Sequence, residues 1–296
     1  MRRVAILCLL AALGLVGAGC AGSANAVAPP PLETFSATAS ATRAAASARF
    51  EMKVEVAMGD QTAAMTGAGG FDQVTKRLAM DLDLSSFAKT FSALSGGSTP
   101  ALEGFDDPDN WKLSAVQDGN VMYMRFPLLD PRLGGKHWVR VDLDALAGAS
   151  GGTLGQFGAY GASDPRATLK LLEAVSGSIE PLGGESIRGT ETSHYVAMVD
   201  PTKLAALAAE NGASRDLLSG MTQSFAQLGL GVVPLHVWID AEQRLRKLTM
   251  EISPATDSAM SGVKASVAFE LYDYGAPVSI ELPAAADVAD GASLMR

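Results

Sequence analysis

The sequence is poor in cysteine, in aromatic residues and in positive charge, and each shortage excludes something. Only two cysteines occur in 296 residues, Cys8 and Cys20. Both lie within the first twenty positions, so no disulfide can staple the body of the chain. Stability must come from a hydrophobic core, which a chain of this length can build. Aromatic residues make up 6% of the chain, so that core has to be assembled chiefly from aliphatic side chains and methionine. Lysine and arginine number 23 against 32 aspartates and glutamates, a net charge of −9. So acidic a body lacks the basic surface that nucleic acid or anionic headgroups require, and no nucleic-acid partner is expected. The longest apolar run, Val4 to Val16, is too short to form a stable membrane-spanning helix.

Signatures of catalysis and of metal or cofactor binding are equally scarce. No phosphate-binding P-loop and no G-x-G-x-x-G opens any expected helix. The three histidines, His137, His194 and His236, fall on separate expected strands without metal-ligand spacing. Asp106, Asp107 and Asp109 are interrupted by Pro108, and no Gly and Glu complete a calcium loop. Gly148 to Gly152 spells a literal G-x-S-x-G around Ser150. A nucleophile elbow needs a tight strand-to-helix turn, whereas this pentapeptide lies in a glycine-rich loop. A hydrolase acting through Ser150 is therefore the least favoured reading, and no catalytic residue, metal or cofactor is expected.

What the sequence does contain begins at its first residue. Arg2 and Arg3 form a basic n-region, Val4 to Val16 an apolar h-region, and Gly17, Ala18 and Gly19 a cluster of small residues. Cys20 follows at once, a pattern that resembles the lipobox of bacterial lipoproteins, with Gly17 where leucine is usual. That resemblance implies cleavage after residue 19 and diacylglyceryl modification of Cys20, which becomes the anchor. Loss of Arg2 and Arg3 takes the net charge from −9 to −11, so the lipid rather than surface charge would hold the chain at a membrane. Burial of acyl chains is worth about 0.8 kcal/mol per CH2, enough for two chains to give stable attachment. Residues 20–47, rich in Ala, Ser, Thr and Pro, read as a tether in which Glu33 to Ser47 can form a short helix. A flexible chain of about 20 residues spans roughly 25 Å, enough to lift a domain clear of the headgroups.

Strand patterns begin at Arg49. Phe50, Met52, Val54, Val56 and Met58 alternate with Glu51, Lys53 and Glu55, the period of a sheet with one apolar face. Further strands are expected at Ala63 to Phe71, Leu78 to Leu84, Trp111 to Val116, Val121 to Phe126 and Lys136 to Leu143. A turn is placed at Asp118-Gly119. Ser85 to Leu94 changes period, with Phe87, Phe91 and Leu94 at helical spacing. Asp164-Pro165 and Asp200-Pro201 each supply an N-cap and a proline at the first helical position. The first opens a helix to Val175, the second a helix through Ala209. Another is expected from about Ser214, with Leu217, Met221, Phe225 and Leu228 on one stripe. Two strands, Ile179 to Leu182 and Glu185 to Val199, lie between the proline-capped helices. Leu235 to Asp240, Leu245 to Ser253 and Val263 to Tyr274 follow, then an edge piece at Val278 to Leu282 and a disordered tail over 285–296. The absence of a βαβ rhythm excludes a doubly wound sheet and favours an α+β fold, one large curved antiparallel sheet with a few helices on one face.

The order of these parts resembles the actinobacterial LppX/LprG lipoproteins, whose fold is similar to that of the LolA and LolB carriers. The resemblance rests on Asp164-Pro165 with Leu169 and Leu172, on the strand Gly184 to Tyr195, on Asp200-Pro201-Thr202-Lys203-Leu204 and on the hairpin Val237 to Leu248. It implies a half-barrel whose concave face, covered by helices, encloses an apolar cavity, so that residues 48–284 form a lipid-binding domain. Phe87, Phe91, Met122, Met124, Leu172, Met221 and Phe225 are the expected lining, methionine being suited to a flexible ligand. The expected function is non-enzymatic: a lipid-anchored protein on the outer face of the cell membrane that carries or presents a lipid or glycolipid. An envelope transporter is a further expected partner. The alternative is a structural or sensory lipoprotein acting through a protein partner without cargo.

Overall fold

The computed structural model describes residues 32–94, 104–143, 179–210, 229–254 and 262–291, together with 219, 222–223 and 225–226. Helix α1 (Leu32–Ala44) leads into β1 (Ser47–Met58), β2 (Gln61–Asp72) and β3 (Arg77–Asp83), then α2 (Ser85–Leu94). Strands β4 (Lys112–Asp118), β5 (Val121–Arg125) and β6 (Trp138–Asp142) continue the meander. After them come β7 (Glu180–Ile187), β8 (Thr190–Val199), α3 (Pro201–Glu210), β9 (Val233–Asp240), β10 (Leu245–Ile252), β11 (Val263–Tyr272) and β12 (Val288–Asp290). Among the described residues the twelve strands form one open sheet in the order β12-β6-β5-β4-β3-β2-β1-β11-β10-β9-β8-β7. Every neighbouring pair is antiparallel except β12 with β6.

Alternation along β1 decides the two faces. Phe50 and Met52 are buried while Glu51 and Lys53 are exposed, and cross-strand register extends the division over the sheet. Phe50 lies opposite Gly69, Gly69 opposite Met80, Met80 opposite Ala115, Ala115 opposite Met124, and Met124 opposite Val139. On the other side of β1, Met52 pairs with Phe269 and Phe269 with Leu248. This apolar face carries the main core, to which α1 adds Phe35 and Ala39 and α3 adds Leu204. Burying one such large side chain is worth about 1.5–3 kcal/mol. Gly69 is required by close approach: a Cβ there would sit 2.2 Å from the Ala79 carbonyl oxygen and 2.7 Å from the Phe50 ring. Phe50 occupies that space and stacks on Phe269 with centroids 5.6 Å apart.

The helices start where their caps say they should. Asp200 accepts from the Thr202 amide at 2.8 Å, and Asp83 accepts from the Ser85 amide at 2.9 Å at the start of α2. Several expectations are corrected. The expected strand from Glu185 to Val199 is broken by a two-residue turn, Arg188 (φ 49°) and Gly189 (φ 77°), the geometry that matches hairpin twist. The expected break at Gly183-Gly184 is instead a bulge inside β7, where Gly183 takes φ 114°. The expected edge piece at Val278 to Leu282 is not a strand. Pairing falls to β12, inside the segment expected to be a disordered tail. There Asp287 accepts from the His137 backbone amide at 3.0 Å and bonds its Nδ1 at 2.7 Å, while Lys136 Nζ donates to the Val288 carbonyl at 2.7 Å. The turn after β4 is centred on Gly119-Asn120 rather than Asp118-Gly119, since Asp118 pairs with Val121.

Candidate functional site

Of the seven expected lining residues, Phe225 belongs to the main core cluster and Met124 packs against it. Met124 lies in the Phe50–Met80–Ala115 row and packs against the main core cluster and against a smaller one of Leu133, Val139 and Val141. Met122 occupies the next row, opposite Val141 and Gln117, and is half-buried. Phe225 is 5% exposed and belongs to the main cluster. Phe87 is half-buried on α2, which is pinned to β2 where the Ala64 amide donates to Ser86 Oγ at 3.1 Å. Phe91 is also on α2, but its side chain, like Leu172, Met221, Ser150 and Cys20, lies outside the described residues. Met52, Met80 and Met250 are buried on the same face, with Met65 packed against them. Four methionines beside Phe50 and Phe269 make this part of the core polarizable and adaptable.

The opposite face carries charged side chains from β1, β3, β4, β10 and β11, and the β7–β8 hairpin folds back onto it. From the hairpin turn, Arg188 Nε donates to Glu270 at 2.8 Å and its other nitrogen donates to Glu51. The Arg188 guanidinium lies 4.1 Å from the centre of the Tyr272 ring. Three strands, β11, β10 and β9, stand between β1 and β8, so these contacts require the sheet to bend strongly. A groove of about 730 Å³ runs beside them, bordered by Glu51, Lys53, Asp81, Lys112, Arg188 and Glu270. Its charges largely satisfy one another or their neighbours: Lys53 with Glu55 at 3.0 Å, Lys112 with Asp109 at 2.6 Å, and Asp81 with the Ser114 hydroxyl at 2.6 Å. Both signs line it, so it favours neither anion nor cation.

Beside this groove the register assembles residues that are far apart in sequence. His194 lies opposite Trp238, and His236 lies opposite Val196. His194 Nε2 and His236 Nδ1 are 3.0 Å apart, one donating to the other. The His194 ring stacks on Trp238 at 4.0 Å, and Trp238 Nε1 donates to Glu185 at 2.7 Å. Sequence reasoning puts the two histidines on separate strands and does not bring them together; the signal is their equal facing on β8 and β9, which only register reveals. His137 is remote from them and serves β12 instead. Among the described residues no group of three His, Cys, Asp or Glu side chains could hold a metal ion. The acidic loop is structural: Asp107 accepts from the Asp109 amide at 3.0 Å, capping the turn Pro108–Trp111.

No protein-family model matches the chain. An uncharacterised 31.2 kDa protein encoded in the rplA-rplJ intergenic region of Streptomyces griseus is 32% identical over 167 residues, 55% of this chain and 51% of that protein. The chain thus spans about half the length of that relative. Among solved structures it resembles the lipoprotein LppX of Mycobacterium tuberculosis, with a TM-score of 0.48 and 10% identity over 84% of this chain and 97% of LppX. LprF of Mycobacterium bovis gives 0.44 and 14% over 86% and 99%. A LolA superfamily protein of Nitrosomonas europaea gives 0.28 and 9% over 85% and 94%.

Proposed function

We propose that this chain is an envelope lipoprotein, tethered to the membrane through Cys20, that binds acyl chains of a lipid or lipoglycan against the apolar face of its sheet. The observation that carries the reading is that face: a contiguous apolar core that includes methionines and phenylalanines, on a sheet whose other side carries charge. The leader ending at Cys20 and the Pro- and Ala-rich tether support the location, on the outer face of the cell membrane. Among the described residues no helix is long and apolar enough to cross a membrane, so attachment in this reading falls to the acylated cysteine. Binding energy comes from removing hydrocarbon from water, about 25 cal/mol per Å² of apolar surface, and polar groups at the mouth of the site select the headgroup. The role is carriage or presentation rather than catalysis. Organic extraction of the purified, non-acylated protein followed by mass spectrometry tests it directly: co-purifying lipid supports the reading. A clean apo mass with no uptake of fluorescent lipid contradicts it and favours a sensory or structural lipoprotein.

A further inference from the structure

We propose that the His194–His236 pair is a pH-sensitive latch between β9 and the β7–β8 hairpin: protonation of both imidazoles abolishes their shared hydrogen bond and loosens the hairpin's inner strand, β8, from β9. The inference is independent of whether the apolar face holds lipid.

The geometry carries the argument. Two imidazoles 3.0 Å apart can share a hydrogen bond only while one ring nitrogen is an unprotonated acceptor; two imidazolium rings present only donors to each other. Rotation offers His194 little escape, because its ring lies flat on Trp238, 4.0 Å away and within 10° of parallel. Trp238 is itself only 6% exposed.

Charged groups approach the pair from both flanks. From β7, Glu185 Oε2 lies 4.0 Å from His194 Nδ1 while accepting from Trp238. From β10, Lys247 Nζ lies 5.0 Å from the centre of the Trp238 ring and 3.8 Å from Glu270 of β11. Burial, then the adjacent His236, hold His194 below the ordinary imidazole value; Glu185 opposes this and Lys247 adds to it. A base whose folded value is depressed contributes stability that is complete above its unfolded value of 6.5. That contribution disappears as pH falls through the lower folded value. Acidification below about 6.5 therefore weakens the native packing around this pair.

The hairpin is poised to respond. β7 is an edge strand with a bulge between Pro181 and Gly183, and most of it is exposed. The Arg188 ion pairs at its tip are over a third exposed on the arginine side, so each contributes little. Arg188 and Lys247 both border the groove, so release of the hairpin changes the groove's wall.

Hydrogen–deuterium exchange of the full chain in mild detergent at pH 7.5 and 5.5, corrected for intrinsic exchange, tests the latch. The β8 amides from Thr192 to Val199 should open roughly three- to tenfold more at the lower pH, the range set by losing one hydrogen bond. Amides of β2 and β3 should change far less. His236→Gln, which keeps a neutral polar side chain but cannot titrate, should shrink the difference, leaving only the part that burial of His194 imposes. Equal pH response in β8 and β2, or an unchanged response in His236→Gln, overturns the proposal. Should that variant fail to fold, histidine Cε1 proton titration of the unaltered protein decides. Two coupled transitions, one of them depressed, support the latch, and two independent ordinary ones refute it.

Discussion

Asp240→Asn is expected to destabilise the protein by about 3–5 kcal/mol, the cost of removing one partner from a buried ion pair. The Asp240 side chain is fully buried at the end of β9. One carboxylate oxygen accepts from the amides of Glu242 at 3.0 Å and Arg244 at 2.8 Å. The other accepts from Arg244 Nε at 3.1 Å and Arg246 Nε at 2.7 Å. Asparagine preserves the shape but not the charge. Arg244 keeps Glu242 at 2.8 Å as a partner, whereas the Arg246 side chain, 12% exposed, loses its counter-ion in a site nearly closed to water. Its contact with the Tyr274 ring, 4.9 Å away, remains, which places the effect at the lower end, about 3 kcal/mol. Against a total stability of about 5–15 kcal/mol that is a large fraction. Urea denaturation followed by circular dichroism should show the midpoint falling by about 1 M, for a slope of about 3 kcal/mol per molar. Burial opposes the ionised form of Asp240, but the Arg244 amide and the Arg246 guanidinium together hold its carboxyl below the ordinary value of 3.8. Its stabilisation is therefore present above that value and is lost as pH falls through the lower folded one. The variant should lack this acid-sensitive component. A midpoint within about 0.2 M of the unaltered protein would refute the reasoning. The consequence reaches α1, which the same turn holds: the Leu245 amide donates to Thr42 Oγ1 at 3.0 Å, and Tyr274 donates to the Leu245 carbonyl.

Three further outcomes are expected. Gly69→Ala should cost about 1–3 kcal/mol, since its Cβ meets the Ala79 backbone at 2.2 Å; a thermal midpoint equal to that of the unaltered protein would show that the strands can separate without penalty. Thr38→Val should be neutral or stabilising by up to about 1 kcal/mol, because Thr38 Oγ1 is buried without a hydrogen-bond partner among the described residues. A clear loss of stability in the same denaturation assay would mean that the hydroxyl is satisfied. Cys20→Ser should move the protein from the membrane fraction to the soluble extracytoplasmic fraction; continued membrane retention would contradict anchoring by that residue.

Period-two alternation makes most of the sheet legible in the sequence itself, because β1, β3, β10 and β11 alternate large apolar with charged side chains. Two elements are hidden by atypical chemistry. Arg188 takes a left-handed conformation, φ 49°, that its long side chain does not advertise, so the turn between β7 and β8 escapes a reading by residue type. β12 is three residues, Val288–Asp290, too short for alternation to register in an alanine-rich tail. Met122, Met124 and Phe225 can be assigned to the apolar side from local spacing alone. The histidine pair cannot, since 42 residues separate its members and only strand register places them side by side.

The central claim is that the apolar, methionine-lined face is a lipid-binding surface. The most direct measurement is native mass spectrometry of the Cys20→Ser protein, secreted by its own host and purified without detergent, paired with organic extraction of the same sample. Protein ions carrying a discrete added mass are expected, which extraction removes and returns as an acyl-bearing lipid. A single ion series at the apo mass, with no lipid in the extract and no uptake from added fluorescent lipid, would contradict it.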